Sequence, residues 1–348
     1  MQPGTKWAYS NHGFAALGQI VEDLSGEPLS RYLRERVFAP LGMADTDLVL
    51  FERLRGHLAT GYALRRGRLV AVRSREVPTP GGGGVYSTAS DMARFVAAML
   101  HGGAGEHGRV LAADSVESMF RPHFRPDPRV AGAGLGFDRH EERGWTLIGK
   151  TGILPGFLSA IGMAPDAGVG VVVLGNTGGL DGRGAPAPLG DALIRLLVGL
   201  PEDPVRDDVV PHPEAWPALC GWYAPDAGPI TNLFPRLAMG AGVEVAVRHH
   251  ELVLTPLTPV PGMRTAMVLH PDDPADPRVY RVSYPQYGWN LGVVFTEDSP
   301  PRLLFDLMSF EKRPAWQNPR RWATGAAAAA VGTGVARRAW RATPEAPG

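Results

Sequence analysis

The residues best equipped for chemistry stand in one stretch. Trp145 to Phe157 reads W-T-L-I-G-K-T-G-I-L-P-G-F, with Lys150-Thr151-Gly152 closing a short apolar run. A strand of this kind presents a fixed ammonium and a row of backbone N–H groups to a substrate, which is the equipment for stabilising negative charge on a reacting oxygen. Near the start of the chain, Tyr9-Ser10-Asn11 forms a Tyr-x-Asn triplet ahead of a segment with helical spacing.

Gly144 to Thr151 also satisfies the phosphate-loop pattern GxxxxGK[ST]. Its setting opposes that reading. A phosphate loop needs an apolar strand before its first glycine and a helix beginning at its lysine, whereas Arg139 to Arg143 is polar and Thr151 runs into Gly152, Pro155 and Gly156. The bulky, partly β-branched residues between the two glycines suit an extended strand.

Other candidates have plainer explanations. Gly81 to Gly84 has no basic residue following in register, so it reads as a positive-φ approach to a packed helix. Ser90-Asp91 lacks the asparagine of an SDN motif, since Met92 takes the third place, and Thr88-x-x-Asp91 is a helix cap. His249 and His250 would point to opposite faces of a strand, and no histidine spacing suggests a metal, so no cofactor or metal is expected. Cys220 is the single cysteine and excludes an internal disulfide.

The 348 residues carry 35 basic and 35 acidic side chains, with 44% hydrophobic content. That balance gives no electrostatic footprint for nucleic acid. Met1 leads into Pro3-Gly4 without an apolar segment, so the chain as given shows no secretory signal, and no transmembrane segment is expected.

The elements that must position these groups are legible in outline. Phe14, Leu17, Val21 and Leu24 recur at helical spacing after Ser10 or Asn11 until Gly26 ends the helix, and a second helix follows from Pro28 to Phe38. Residues 44 to 80 read as loops with one or two short strands. Helices are expected from Thr88 to His101 and from Ala113 to Phe120, then a turn-rich entry from Gly132 to Phe137. Thr146 to Thr151, Phe157 to Met163 and Val169 to Leu174 form an antiparallel meander, covered by a helix over 188 to 200. A Pro- and Asp-rich linker over 201–217 precedes a β-rich segment, 218–318, with the spacing of a small barrel or sandwich. The Ala/Arg-rich remainder, 319–348, reads as a loose helix or disordered tail.

Tyr9-Ser10-Asn11 before a helix, Tyr86-Ser87-Thr88-Ala89-Ser90-Asp91 starting another, and Lys150-Thr151-Gly152 on the first strand of a meander occur in one order. Together with the phrase Pro40 to Thr46, they resemble the serine β-lactamase and penicillin-binding-protein-like superfamily, in particular its class C β-lactamase, esterase and D-amino-acid peptidase types. The resemblance covers roughly residues 1 to 200. It implies an α/β (α+β) fold, with an antiparallel sheet flanked by helices and a helical lobe beside it, here incomplete at the N-terminus. The small all-β barrel or sandwich follows as an accessory unit.

The resemblance also implies roles. Tyr9 becomes the proton-transfer group, Asn11 a hydrogen-bond partner for the substrate amide, and Lys150 the cation facing Tyr9 and the substrate carboxylate. Thr151 orients substrate, Gly152 completes the triad, and the Ile153 N–H is one of two donors to the oxyanion. The expected reaction is acyl transfer on an ester, amide or β-lactam carbonyl of a small or peptide-like substrate. Full-length relatives of this type are often exported.

One departure matters. The family nucleophile is the Ser of an SxxK motif upstream of the Tyr-x-Asn element, yet only eight residues precede Tyr9, and the single SxxK of the chain is Ser309-Phe310-Glu311-Lys312 in the β-rich segment. The expectation is an N-terminally truncated serine hydrolase, inactive as it stands. The alternative is a non-catalytic binding or scaffold relative of the same fold.

Overall fold

A computed structural model describes residues 4–73, 77, 79–178, 186–202, 205–226, 236–237, 240–260, 264–284 and 289–320. The expected Ala/Arg tail lies outside these residues, apart from 319 and 320.

Helix α1, Asn11–Ser25, starts where the Ser10 hydroxyl accepts the Gly13 N–H at 3.0 Å and stops at Gly26, whose φ of 71° is the left-handed cap that glycine adopts most easily. Its spacing is helical, but its apolar residues remain at the surface. Phe14, Leu17 and Leu24 are 47%, 54% and 84% exposed, and only Gly18 is buried. A short α2, Leu29–Leu33, runs into a π-turn, and α3 covers Glu52–Arg55. Strands β1, Gly61–Arg65, and β2, Arg68–Val72, make a separate hairpin.

Helix α4, Ala89–Leu100, is capped as its sequence predicts, with the Thr88 hydroxyl accepting the Asp91 N–H at 3.2 Å. Helix α5 spans Ala113–Phe120. A five-stranded antiparallel sheet follows in simple order: β3 Gly132–Ala133, β4 Asp138–Glu142, β5 Trp145–Leu154, β6 Phe157–Ala164 and β7 Val169–Gly175. Neighbouring residues serve opposite faces, as the period of two requires. Ile148 and Met163 pack with Val96, Met99, Val116 and Phe120 of α4 and α5. Leu147 and Ala164 pack with Ile194 and Val198 of α6, Pro186–Val198.

The expected turn-rich entry holds from Gly134 to Phe137, with the short β3 before it and an unexpected strand, β4, after it. Strand β4 reads Asp-Arg-His-Glu-Glu, and its polarity hid it because its partners are charged rather than apolar. Glu142 takes a two-pronged ion pair from the buried Arg195 of α6, at 2.9 and 2.8 Å. The β4–β5 turn is made by Arg143 and Gly144, both at positive φ (47° and 87°), as a tight hairpin demands.

After α7, Trp216–Leu219, the chain forms a nine-stranded antiparallel sheet. Its strands are β8 Gly221–Pro225, β9 Val243–Arg248, β10 Glu251–Pro256, β11 Met267–Val268, β12 His270–Pro271, β13 Val279–Tyr284, β14 Trp289–Phe295, β15 Arg302–Phe305 and β16 Met308–Arg313. The order runs β11-β10-β9-β8-β16-β15-β14-β13-β12, and β11 comes back against β13, so the sheet curls into a nearly closed barrel. Tyr223, Val243, Leu254, Val293, Leu303 and Phe310 fill its interior.

Among the described residues, barrel and α/β body share two small apolar contacts. Val130 packs with Val279, Val294 and Leu304, while Leu307 packs with Ala131, Ala133, Trp7 and Phe124. Gly292 permits the approach, because a Cβ there would lie 2.9 Å from the Arg129 carbonyl oxygen. An Arg129–Asp276 ion pair at 2.8 Å seals the edge.

Candidate active site

Strand β5 carries the central group. It pairs with β4 only as far as Asp138 opposite Gly149, and from Lys150 to Leu154 it pairs with β6 alone. The far half of β5 is therefore an open sheet edge, where alternate backbone N–H and C=O groups face outward instead of into a ladder. Lys150 stands at the first residue of that edge. Because β5 continues as strand through Leu154, no helix begins at the lysine and the phosphate-loop reading is excluded.

Beyond Lys150 the edge is accessible. Thr151 is exposed, and Ile153 and Leu154 are 38% and 39% exposed. Gly152 sits opposite Ser159 of β6, whose Oγ would lie 2.5 Å from a Cβ at position 152. That crowding explains a glycine within the strand.

Lys150 is half-buried, and its ammonium pairs with both oxygens of Asp138, at 3.3 and 3.2 Å. Sequence reasoning did not single out Asp138. Its only signal is an acidic residue at the head of a polar strand, and nothing local assigns that strand as the neighbour of β5.

Tyr9 and Asn11 come from the segment that enters α1. Asn11 is the first residue of the helix, with Ser10 rather than Asn11 as the cap. The tight glycine run lies directly against it: a Cβ on Gly82 would meet the Asn11 carbonyl oxygen at 2.9 Å, and one on Gly81, at φ 89°, would meet the Phe14 carbonyl oxygen at 2.7 Å. The Tyr9 ring is 40% exposed and tilts against Trp7 at 6.2 Å between centroids. Trp7 in turn packs on Ala131, Ala133 and Leu307. Ala133 is the register partner of Asp138, the residue that holds Lys150. Tyr9 is thus linked to the strand beside Lys150 through Trp7 and Ala133. The phenol and the ammonium do not touch, since the ammonium is taken by Asp138 and, among the described residues, Tyr9 makes no side-chain hydrogen bond.

A neighbouring cleft of about 350 Å³ opens between the α/β body and the barrel. Gly4 to Trp7, His123 to Pro126, Asp226 and Leu307 line it; Tyr9 and Lys150 do not.

The two remaining motifs are structural. Asp91 is buried and accepts hydrogen bonds from the Asp45 N–H and the Thr46 hydroxyl, both at 2.8 Å, so it ties α4 to the preceding loop. Ser309 and Lys312 lie on strand β16, where residues three apart point to opposite faces. The Ser309 hydroxyl donates to Asp226 and the Lys312 ammonium to the Ala218 carbonyl, so the one SxxK cannot act as a nucleophile pair. Among the described residues no group of His, Cys, Asp or Glu is arranged to hold a metal, and no helix is long and apolar enough to cross a membrane.

Comparison with known proteins identifies the family and the fold. Residues 1–195 match the family model described as Beta-lactamase. The chain is 29% identical over 276 residues to the human protein named Putative beta-lactamase-like 1, covering 78% of this chain and 52% of that protein. It is 26% identical over 252 residues to a D-aminopeptidase of Brucella canis, covering 71% of this chain and 44% of the enzyme. The chain thus spans about half the length of these curated relatives. Among solved structures, the octameric penicillin-binding protein homologue from Pyrococcus abyssi superposes with a TM-score of 0.52 at 22% identity, over 90% of this chain and 66% of that one. That likeness shows the shared fold.

Proposed function

This chain belongs to the Beta-lactamase family of serine hydrolases and their relatives, and from that premise we propose that Lys150 and the open edge of β5 bind the acyl substrate while Tyr9 faces them as the proton-transfer group. The observation that carries this reading is the half-buried ammonium placed where β5 loses its β4 partner. A substrate carboxylate can exchange with Asp138 for that ammonium, and the substrate backbone can add to the exposed edge as a further strand. The Ile153 N–H then serves as one oxyanion donor, Thr151 orients the bound group, and Asn11 meets the substrate amide. Gly152 keeps the edge close to β6.

In the full reaction a serine oxygen attacks the carbonyl, the leaving group takes a proton, and water later resolves the acyl-enzyme. The one SxxK of this sequence lies on β16 with both side chains engaged in the barrel, which supports reading the described residues as a binding half-site without turnover. The D-aminopeptidase likeness supports a peptide-like amide as the ligand class. The test is hydrolysis of a chromogenic cephalosporin and a nitrophenyl ester by the purified chain. The proposal predicts rates indistinguishable from buffer. Turnover that Lys150→Met abolishes would refute the inactive reading.

A further inference from the structure

Asp306 breaks two local rules at once. It stands at φ 53° in the two-residue turn between Phe305 and Met308, which are directly paired across β15 and β16. Glycine or asparagine occupies that left-handed position at lower cost. Its Oδ1 is also sealed from solvent and, among the described residues, has no hydrogen-bond partner, although the residue as a whole is only half-buried. A carboxyl kept at a strained backbone position and left unsatisfied is the kind of conflict that folds retain where a site needs it.

Its surroundings say which site. The charged groups that bear on the Asp306 carboxyl are His140 and Asp138 on β4 and Lys150 on β5. The next residue, Leu307, packs on Ala131, Ala133 and Trp7, which fixes the turn of the barrel against the edge strand beside Asp138. The barrel thus delivers an acid to the Asp138–Lys150 pair from outside the α/β body.

We propose that Asp306 is a positioning residue of the Lys150 centre, acting on the Asp138–Lys150 pair and so setting how freely the ammonium meets a ligand carboxylate. This rests on the reading of Lys150 given above. When Asp306 is neutral, Asp138 alone balances the ammonium. When Asp306 loses its proton to solvent, a second negative charge holds Lys150 back. Burial pushes the carboxyl above its ordinary value, against the opposing attraction of His140, so the change falls above the usual carboxylate range.

The chain has only three lysines, Lys6, Lys150 and Lys312. Reductive ¹³C-dimethylation therefore gives three lysine ammonium-methyl signals that keep their charge, beside that of the α-amino group, and Lys150→Arg identifies the one of interest. In the wild type, the Lys150 signal is expected to show a pH step above about pH 4, the ordinary carboxylate value. In Asp306→Asn the step disappears while the Lys6 and Lys312 signals stay as they were. An Asp306→Asn profile identical to the wild type, with the same step in the Lys150 signal, would overturn the proposal. Asparagine suits the turn and leaves no buried charge, so this variant should melt no lower than the wild type; Asp306→Gly replaces it if it does. A lost step together with absence of benzylpenicillin binding would sink the substrate reading while leaving the positioning role standing.

Discussion

Replacing Arg195 by alanine tests how the sheet that carries Lys150 is fixed to its covering helix. The Arg195 side chain is 1% exposed and gives two bonds to Glu142, which is 12% exposed, at 2.9 and 2.8 Å, and a third to the Pro201 carbonyl at 2.7 Å. Removing one partner of a buried pair costs about 3–5 kcal/mol, because the other charge stays behind. Arg281 of the barrel remains 3.9 Å from Glu142 and offsets part of the loss, so the low end applies, about 3 kcal/mol. At about 2 °C per kcal/mol for a chain of this size, Tm should fall by about 6 °C in a calorimetric scan. The pH response carries the same signature. Burial opposes ionisation of Glu142, but Arg195 and then Arg281 win and hold its carboxyl below the ordinary range. Its contribution is present above the ordinary carboxylate value and is lost as pH falls below it through the lowered value of the folded state, and Arg195→Ala should flatten that slope. Combining Arg195→Met with Glu142→Leu should recover at least half of the lost Tm, since Arg281 keeps its partner Asp272 at 2.8 Å. A single-variant shift below 1 °C, or a double variant no better than the single, would refute the reasoning.

Gly81→Ala should destabilise by about 2 kcal/mol or more in urea melts, because it combines a φ of 89° with backbone 2.7 Å away, whereas Gly83→Ala, with nothing within 4 Å, should be neutral or stabilising by up to about 1 kcal/mol. Lys150→Met should shift stability by less than about 1 kcal/mol, since its pair with Asp138 is partly exposed, while removing ligand binding. Hydrogen bonds from Arg278, against the opposing effect of burial, and from Arg129 hold Asp276 down to about 2. The stability they contribute is present above the ordinary value of 3.8 and lost as pH falls toward 2, so limited proteolysis should open the barrel contact in that window, with less pH dependence in Asp276→Asn.

The sequence revealed what is local. Thr88 and Asp91 cap α4 as four adjacent residues predict, the apolar run before Lys150 is a strand, and the Pro165 to Gly168 turn separates β6 from β7. It concealed what depends on distant partners. Strand β4 shows no apolar alternation because Glu142 is satisfied by Arg195, fifty-three positions away. For the same reason, Asp138 could not be assigned to Lys150, nor Asp306 to either. Strand β16 escaped because Met-Ser-Phe-Glu-Lys-Arg mixes polar and apolar residues, and the same strand disposes of the SxxK match. Helical spacing in α1 predicted the helix correctly but not the burial of its apolar side chains, because period specifies a face and not what covers it.

Native mass spectrometry after incubation with benzylpenicillin tests the central claim most directly, because one spectrum distinguishes a reversible complex from an acylated protein. The proposed half-site predicts a one-to-one complex that falls apart on denaturation and is absent from Lys150→Met. Added mass that survives denaturation, or no complex at all, would contradict it.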